Sequence, residues 1–401
     1  MRYIIRNMSF LKEKIQIIIV LLLTLPWILS LALKITYLPH LQAFLSGIAI
    51  IAAAFLISWA AETAEIDLPR SFSLALVALL VVLPEYAVDA YFAWVAGKIG
   101  GEYIHYTTAN MTGANRLLIG IGWSSLAMFA MFKKRKKLII LDQGIYLESF
   151  VLLIATIYAF TIPVRSEISY VDSIFFIALY FFYLFLAIKS KGEKFEMLGV
   201  ARYLSKFSEN LRHFLLFIMF TYAGFVIFVS VGGFSEGLIH TAKKFGLDEY
   251  LIVQWIAPIA SEAPELVVGM YFVNRLRVTA GINSLISAKV NQWTLLIGTI
   301  SLVYSLSIFR ISALPLDTRQ AEEIFLTAAQ SLFALSILLN LRLTFIEAIS
   351  LLALFLVQLI FPGVLVRYVI SLLYIFLSIP LFIVRFSNIK RSLSYVISLA
   401  K

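Results

Sequence analysis

The 401-residue chain contains no cysteine. That removes disulfide bridges, thiol nucleophiles and thiolate metal sites together. Charge is also scarce: Asp, Glu, Lys and Arg make up 14% of the residues, against about 25% in a soluble domain. The four histidines, His40, His105, His213 and His240, fall near the ends of apolar runs without metal-ligand spacing. Neither a histidine metal centre nor imidazole catalysis is expected. Gly97, Gly100 and Gly101 lie close together but follow no phosphate-binding pattern. A His-Glu-x-x-His zinc motif and a Gly-x-Ser-x-Gly elbow are both missing. These absences argue against an intramembrane enzyme and give no reason to expect a cofactor.

What the chain does have is apolar sequence, 61% of all residues. Apolar runs of 18 or more residues recur along its whole length, the mark of membrane-spanning helices. Reading runs and breakers gives about twelve spans, near 15–34, 41–61, 72–97, 105–132, 148–163, 169–188, 213–235, 249–274, 278–309, 320–340, 342–361 and 363–385. The fold class is an all-α polytopic membrane protein. At the amino terminus Arg2, Arg6, Lys12 and Lys14 precede an apolar run that lacks a small-x-small cleavage site. The run is about 19 residues, long for a signal-peptide core, so an uncleaved helix is expected.

The net charge of +10 does not point to nucleic acid. Lys and Arg concentrate in cytoplasmic loops of membrane proteins. Counted over alternate loops, 23 lie on the amino-terminal side and 8 on the other. Arg116 and Lys289 fall inside spans. The split places both termini in the cytoplasm and the protein in the cell membrane, with lipid as its surroundings. It also accounts for Lys133-Lys134-Arg135-Lys136-Lys137 as a topology signal. Nothing in the sequence demands an oligomer, so a monomer is the default expectation.

The polar stretch 189–212 divides the chain, and its two sides echo each other. Leu83-Pro84-Glu85 and Tyr91-Phe92 in the first half match Ala263-Pro264-Glu265 and Tyr271-Phe272 in the second. Leu117-Leu118-Ile119-Gly120 is echoed by Leu295-Leu296-Ile297-Gly298. The expected organisation is an amino-terminal arm and extra helix at 1–40, a first repeat at 41–188 and a cytoplasmic linker at 189–212. A second repeat at 213–361 and an extra helix with a cytoplasmic tail at 362–401 follow. Each repeat would hold five helices, so the two would cross the membrane in opposite senses. Inverted repeats with matching interrupted helices indicate a substrate site near the bilayer midplane.

A carboxylate at the centre of a membrane helix costs about 2.5–3.5 kcal/mol on insertion scales. Glu85 and Asp89 are four residues apart, Glu262 and Glu265 three, so each pair shares a helix face. Pro84 and Pro264 each remove a backbone donor, and a kink or break is expected at both. Freed carbonyls and carboxylates are hard oxygen ligands of the kind calcium and sodium take. The following helices add Thr107, Thr108, Asn110, Thr112 and Asn115, and then Asn283, Ser284, Ser287, Asn291 and Gln292. These can ligate a cation without adding charge or can simply bond between helices.

These residues resemble the sodium/calcium exchanger family of calcium/cation antiporters. That family carries Pro-Glu on the second helix of each five-helix repeat and Gly-Asn-x-x-Gly-Ser-Asn on the third. Ala109-Asn110-Met111-Thr112-Gly113-Ala114-Asn115 keeps the Asn, Gly and Asn; Gly281 to Lys289 matches less well. The resemblance implies an antiporter moving calcium or a similar cation against sodium, with Glu85 and Glu265 as central ligands. Asp89, Glu262, Asn110, Asn115, Ser287 and Asn291 would complete the set.

The chain departs from the family where Gly-Thr-Ser is usual. Here Val81-Val82-Leu83 and Ser261-Glu262-Ala263 precede the Pro-Glu pairs. Arg116 and Lys289 enter the lining helices. Either they balance Asp89 and Glu262, or they couple transport as fixed cations. The second option favours a sodium/proton or potassium-linked exchanger.

The orientation has a direct check, because single cysteines can be introduced into a chain that has none. A cysteine replacing Phe195 should resist an impermeant thiol reagent in intact cells and react after permeabilisation. Labelling from outside would reverse the assignment.

Overall fold

The computed structural model describes residues 2–67, 80, 82–190, 197 and 199–400. The expected span segment 72–79, Arg70, and residues 191–196 and 198 of the expected linker, Phe195 included, lie outside the described residues. The helices are α1 (Arg2–Ala32), α2 (Pro39–Ala64), α3 (Leu83–Ile99), α4 (Glu102–Leu117), α5 (Ser124–Lys134), α6 (Ile145–Ala159), α7 (Thr161–Arg165), α8 (Tyr170–Lys189) and α9 (Gly199–Leu204). They continue with α10 (Glu209–Phe245), α11 (Glu249–Asn274), α12 (Val278–Asn291), α13 (Ile297–Ser307), α14 (Thr318–Leu338), α15 (Phe345–Ile360), α16 (Val364–Val384) and α17 (Phe386–Ala400). Among the described residues nine helical segments are long and apolar enough to cross a membrane, and Phe345–Ile360 is a shorter apolar helix.

The chain forms two compact units. Unit 1 comprises Met1–Tyr91 and Lys191–Pro264; unit 2 comprises Phe92–Ser190 and Glu265–Lys401. Two of the three passages between them fall inside a helix, after Tyr91 in α3 and after Pro264 in α11. These are the two helices that carry Pro-Glu.

In unit 1 the alanine-rich α2 packs along α10. Ala49, Ala52, Ala53, Leu56 and Ile57 form the core with Ala223, Val226 and Ile227, closed by Val20 and Trp27 of α1. Small side chains let these helices approach closely. A Cβ on Gly237 would lie 2.7 Å from the backbone nitrogen of Ala43. Polar bonds fix the pairing at points along it: Gln42 Nε2 donates to the Gly233 carbonyl at 3.0 Å and Trp27 Nε1 to the Val229 carbonyl at 3.3 Å. At 37 residues, α10 extends about 55 Å, well beyond a hydrocarbon core of about 30 Å.

Unit 2 gathers the remaining helices with two short antiparallel strand pairs. β1 (Leu138–Ile140) pairs with β4 (Arg342–Thr344), and β2 (Glu167–Ile168) with β3 (Leu314–Pro315). Helix starts are set by reciprocal caps at Ser169/Asp172, Asp317/Gln320 and Thr344/Glu347, each satisfying otherwise orphaned N–H groups. The echoed Leu-Leu-Ile-Gly sequences coincide with a matched irregularity. α4 runs into α5 through a π-helical stretch, Leu118–Trp123, and α12 into α13 through another, Gln292–Leu296. Gly120 and Gly298 are close-contact positions: a Cβ would come within 2.2 Å of the Phe355 ring and 2.8 Å of Ile177.

Two features refine the sequence reading. Of the kink or break expected at Pro264 a break is excluded, because α11 runs from Glu249 to Asn274, the bounds read for that span, through both Pro258 and Pro264. A single lost backbone bond is tolerated inside a packed helix bundle. The carboxyl-terminal tail is a helix, α17, laid against α6 by a bond from Ser392 Oγ to the Tyr146 carbonyl at 2.8 Å.

The end of α2 holds two acids in opposite environments. Asp67 accepts from the guanidinium of Arg212, and His213 Nε2 lies 3.2 Å away. The Arg212 hydrogen bond holds the Asp67 carboxyl below its usual value of 3.8. Burial instead pushes Glu65 from 4.5 up to about 7. Linkage gives these shifts opposite signs. Asp67 stabilises the fold above its ordinary pKa, and the contribution is lost as the pH falls through the depressed one. Glu65 destabilises progressively as the pH rises from 4.5 to about 7. Thermal melts should therefore show Asp67→Asn less stable than wild type at pH 8, and Glu65→Gln more stable. Both differences should shrink towards acid pH; an unchanged gap at pH 4 would contradict the Glu65 assignment.

Candidate functional site

The first Pro-Glu sits at a helix start. α3 begins at Leu83, so Pro84 occupies the first turn, where a missing N–H costs nothing. Glu85 follows in the same turn, where exposed N–H groups favour a negative charge. Glu85 and Asp89 are both buried, as is Glu262 on α11. All three belong to unit 1. In the same unit Tyr91, two residues beyond Asp89, donates to Glu236 Oε1 of α10 at 2.8 Å. Glu236 is a carboxylate inside a span that the sequence reading passed over.

Glu265 belongs to unit 2 with the polar residues of α4 and α12. Its Oε2 is buried and accepts no hydrogen bond, which leaves a hard oxygen open to a cation or a proton. Asn110, Asn115, Arg116, Lys289 and Asn291 are all buried. The threonines of α4 serve their own helix: Thr107 donates to the Tyr103 carbonyl, Thr108 to His105 and Thr112 to Thr108.

Lys289 and Asn115 meet directly. The ammonium donates to Asn115 Oδ1 at 2.6 Å and lies 3.4 Å from the Asn115 carbonyl. It also sits 4.3 Å from the ring centroid of Trp293, a cation–π contact that strengthens when water is excluded. Trp293 is fixed in turn by its Nε1 donating to Thr156 Oγ1 at 3.2 Å. The amide oxygen expected to ligate a cation thus already accepts from one carried by the protein. Across from Ser287, also expected as a ligand, stands Glu148 of α6, whose Oε1 accepts from Tyr183 at 3.3 Å.

Arg116 is committed elsewhere. Its guanidinium pairs with Glu323 of α14 at 2.5 Å and donates to Gln358 Oε1 at 3.0 Å. Arg367 of α16 binds Glu322 at 2.8 Å and lies 3.6 Å from Glu323. Gln330 donates to the Arg116 carbonyl at 3.2 Å. Two arginines and two glutamates make a charge-balanced buried network. Within it the Arg116 charge is answered by Glu323. The signal for it was available, since Glu322 and Glu323 lie inside the span read at 320–340. Arg367 lies inside the span read at 363–385 but was counted as a loop charge; removing it widens the loop asymmetry. Among the described residues no three Asp, Glu or His side chains gather into a resident metal centre.

The profile of the sodium/calcium exchanger protein family matches residues 39–189 and again 215–364. The chain belongs to that family. The exchanger is thus a multi-pass membrane protein and a cation antiporter. It is 56% identical to the H+/Ca2+ exchanger CAX, whose crystal structure superposes with a TM-score of 0.96 over 98% of this chain and 99% of that one. The Ca2+/H+ antiporter protein YfkE is 17% identical, with a TM-score of 0.60 over 90% of this chain and 99% of that one. The sodium-calcium exchanger NCX_Mj, also 17% identical, gives 0.54 over 81% and 99%. The last two likenesses are of fold alone. No curated protein sequence matches the exchanger.

Breaking a buried ion pair from one side leaves the other charge uncompensated and costs about 3–5 kcal/mol. Glu323→Gln should therefore lower the exchanger's melting temperature strongly. The double variant Arg116→Gln/Glu323→Gln should recover part of the loss. Equal melting temperatures for wild type and Glu323→Gln would show that the pair contributes nothing.

Proposed function

We propose that the protein exchanges calcium for protons across the cell membrane. Glu85 and Glu265 are the central ligands, helped by Asp89, Glu262, Asn110, Ser287 and Asn291. The observation that carries the choice of proton over sodium is the Lys289 ammonium on Asn115 Oδ1 at 2.6 Å. A tethered cation there takes a family-type amide oxygen that a sodium ion would need. The 56% identity to the H+/Ca2+ exchanger CAX supports the same reading.

Electrostatics supplies the coupling. Two glutamates are neutral when they hold one calcium ion and neutral again when they hold two protons. Empty, they carry two charges through hydrocarbon at about 2.5–3.5 kcal/mol each on insertion scales. Reorientation is therefore cheap when loaded with either cargo and costly when empty, which makes the protein an exchanger and not a uniporter.

Twelve spans arranged as two inverted five-helix repeats, with an extra helix at each end, fit this mechanism. The two matched family segments and the paired π-helical stretches support that layout. The loop-charge asymmetry supports cytoplasmic termini. Asn115 then acts through Lys289 and does not touch the ion while that bond holds, and Ser287 stays in the proposed ligand set.

Flux in proteoliposomes tests the reading. An acid-inside pH gradient should drive calcium uptake, and a sodium gradient alone should not. Uptake driven by sodium at equal pH would replace the proton with sodium as the counter-ion. Glu85→Gln and Glu265→Gln should each abolish flux in protein that remains extractable and folded. Near-normal flux in either variant would reduce that glutamate to a structural part.

Lys289→Asn removes the tethered charge. Calcium titration should show binding tighter by about tenfold, equivalent to about 1.4 kcal/mol, together with a new sodium dependence. Unchanged affinity and coupling would leave Lys289 as a packing element only.

A further inference from the structure

Unit 1 contains a cavity of about 450 Å³ that cation exchange does not use. Its walls come from four helices: Lys14 and Leu21 on α1, Leu56 on α2, Tyr203 on α9, and Ile218 and Tyr222 on α10. Apart from Lys14 and the two tyrosines, every lining side chain is apolar. At the end away from Lys14 the Tyr222 hydroxyl is engaged by Thr24 Oγ1 at 2.5 Å. That end therefore offers hydrocarbon and ring carbon to an occupant.

The dimensions select the occupant. Lys14 and Thr24 are ten residues apart on one helix, which corresponds to about 15 Å of rise. That is half of a hydrocarbon core of about 30 Å, the depth of one leaflet. Charge selects the headgroup. Lys14 is exposed at the rim, with Lys12, Arg202 and Lys206 also exposed on the same segments of α1 and the α9–α10 region. On the described residues of α1, α9 and the first turn of α10 the acidic side chains are Glu13 and Glu209, and Asp67 is taken by Arg212, so positive charge predominates on these segments. Long basic side chains at the membrane surface extend towards phosphate while their stems cover apolar surface.

We propose that this groove is a binding site for one anionic phospholipid. One acyl chain lies between α1, α2 and α10 from Lys14 to the Thr24–Tyr222 pair, and the phosphate pairs with Lys14. A second copy of the protein would have to supply an apolar ridge of leaflet length beside a counter-charge for Lys14; a lipid supplies both in one molecule. The occupied groove would brace α1 against the α2–α10 pair.

The experiment titrates the purified, delipidated full chain in detergent with phosphatidylglycerol or phosphatidylcholine of identical acyl chains. Native mass spectrometry reads the number bound, and melting temperature reads the fold. Wild type should bind one phosphatidylglycerol about tenfold more tightly than phosphatidylcholine. Lys14→Gln changes an exposed side chain; it should keep the melting temperature of the delipidated protein and lose most of the headgroup preference. Ile218→Trp, which fills the groove, should lose the tight site for both lipids. Equal binding of the two lipids by wild type would overturn the proposal, since it describes annular lipid only. So would a headgroup preference that survives Lys14→Gln, or a protein dimer that excludes lipid from the groove.

Discussion

The cost of an unpaired charge in hydrocarbon organises this molecule. Most basic side chains stay outside the spans, and those inside are held by named partners. Arg116 and Arg367 share the Glu322–Glu323 pair of α14. Lys289 rests on an amide oxygen and an indole face. The same cost is left unanswered by a protein group at Glu265 Oε2, the oxygen proposed to take the cargo. Where the protein supplies the counter-charge the result is a brace, and the proposed ligand sits where it withholds one.

Much of this was legible in the sequence, and for identifiable reasons. Hydropathy marks a membrane helix without reference to its partners, so the positions of the nine long apolar segments among the described residues followed from local composition. The Pro-Glu pairs stood out because two improbable features recurred at matched distances. Pairings between distant helices were not legible. The partner of Arg116 among the amides, Gln358, lies 242 residues further along, and no local pattern announces it. The salt bridge to Glu323 left a signal at one end only: Glu322 and Glu323 lie inside the span read at 320–340, but nothing local names their arginine partners.

Local physics decided details that the sequence left open. Pro264 leaves α11 continuous because the bundle tolerates one missing backbone bond, whereas Pro84 falls in the opening turn of α3. Ser287 stands near Glu148 of a distant helix, a neighbour that spacing along the chain does not reveal. The stretch expected as a tail after the last span is itself a helix, α17. Its apolar and basic residues separate onto different sides only when it is wound as a helix, with Ser392 and Val396 turned inward and Lys390 and Arg391 left outside.

The two π-helical stretches bear on how such a rod tolerates change. An α-helix advances about 100° per residue, and a π turn accommodates one residue more than an α turn. Each stretch therefore acts as a dislocation, keeping the rod continuous while shifting the angular phase of everything beyond it. In α4 and α12 the shift comes directly after Asn115–Arg116 and Lys289–Asn291. Upstream, the azimuth of these polar groups is set by their buried bonds, Arg116 to Glu323 and Lys289 to Asn115. Downstream, the faces of α5 and α13 are set by neighbours such as Phe355 and Ile177. The phase slip lets each portion keep the azimuth it needs, so the packing of the far ends does not dictate where the polar residues point.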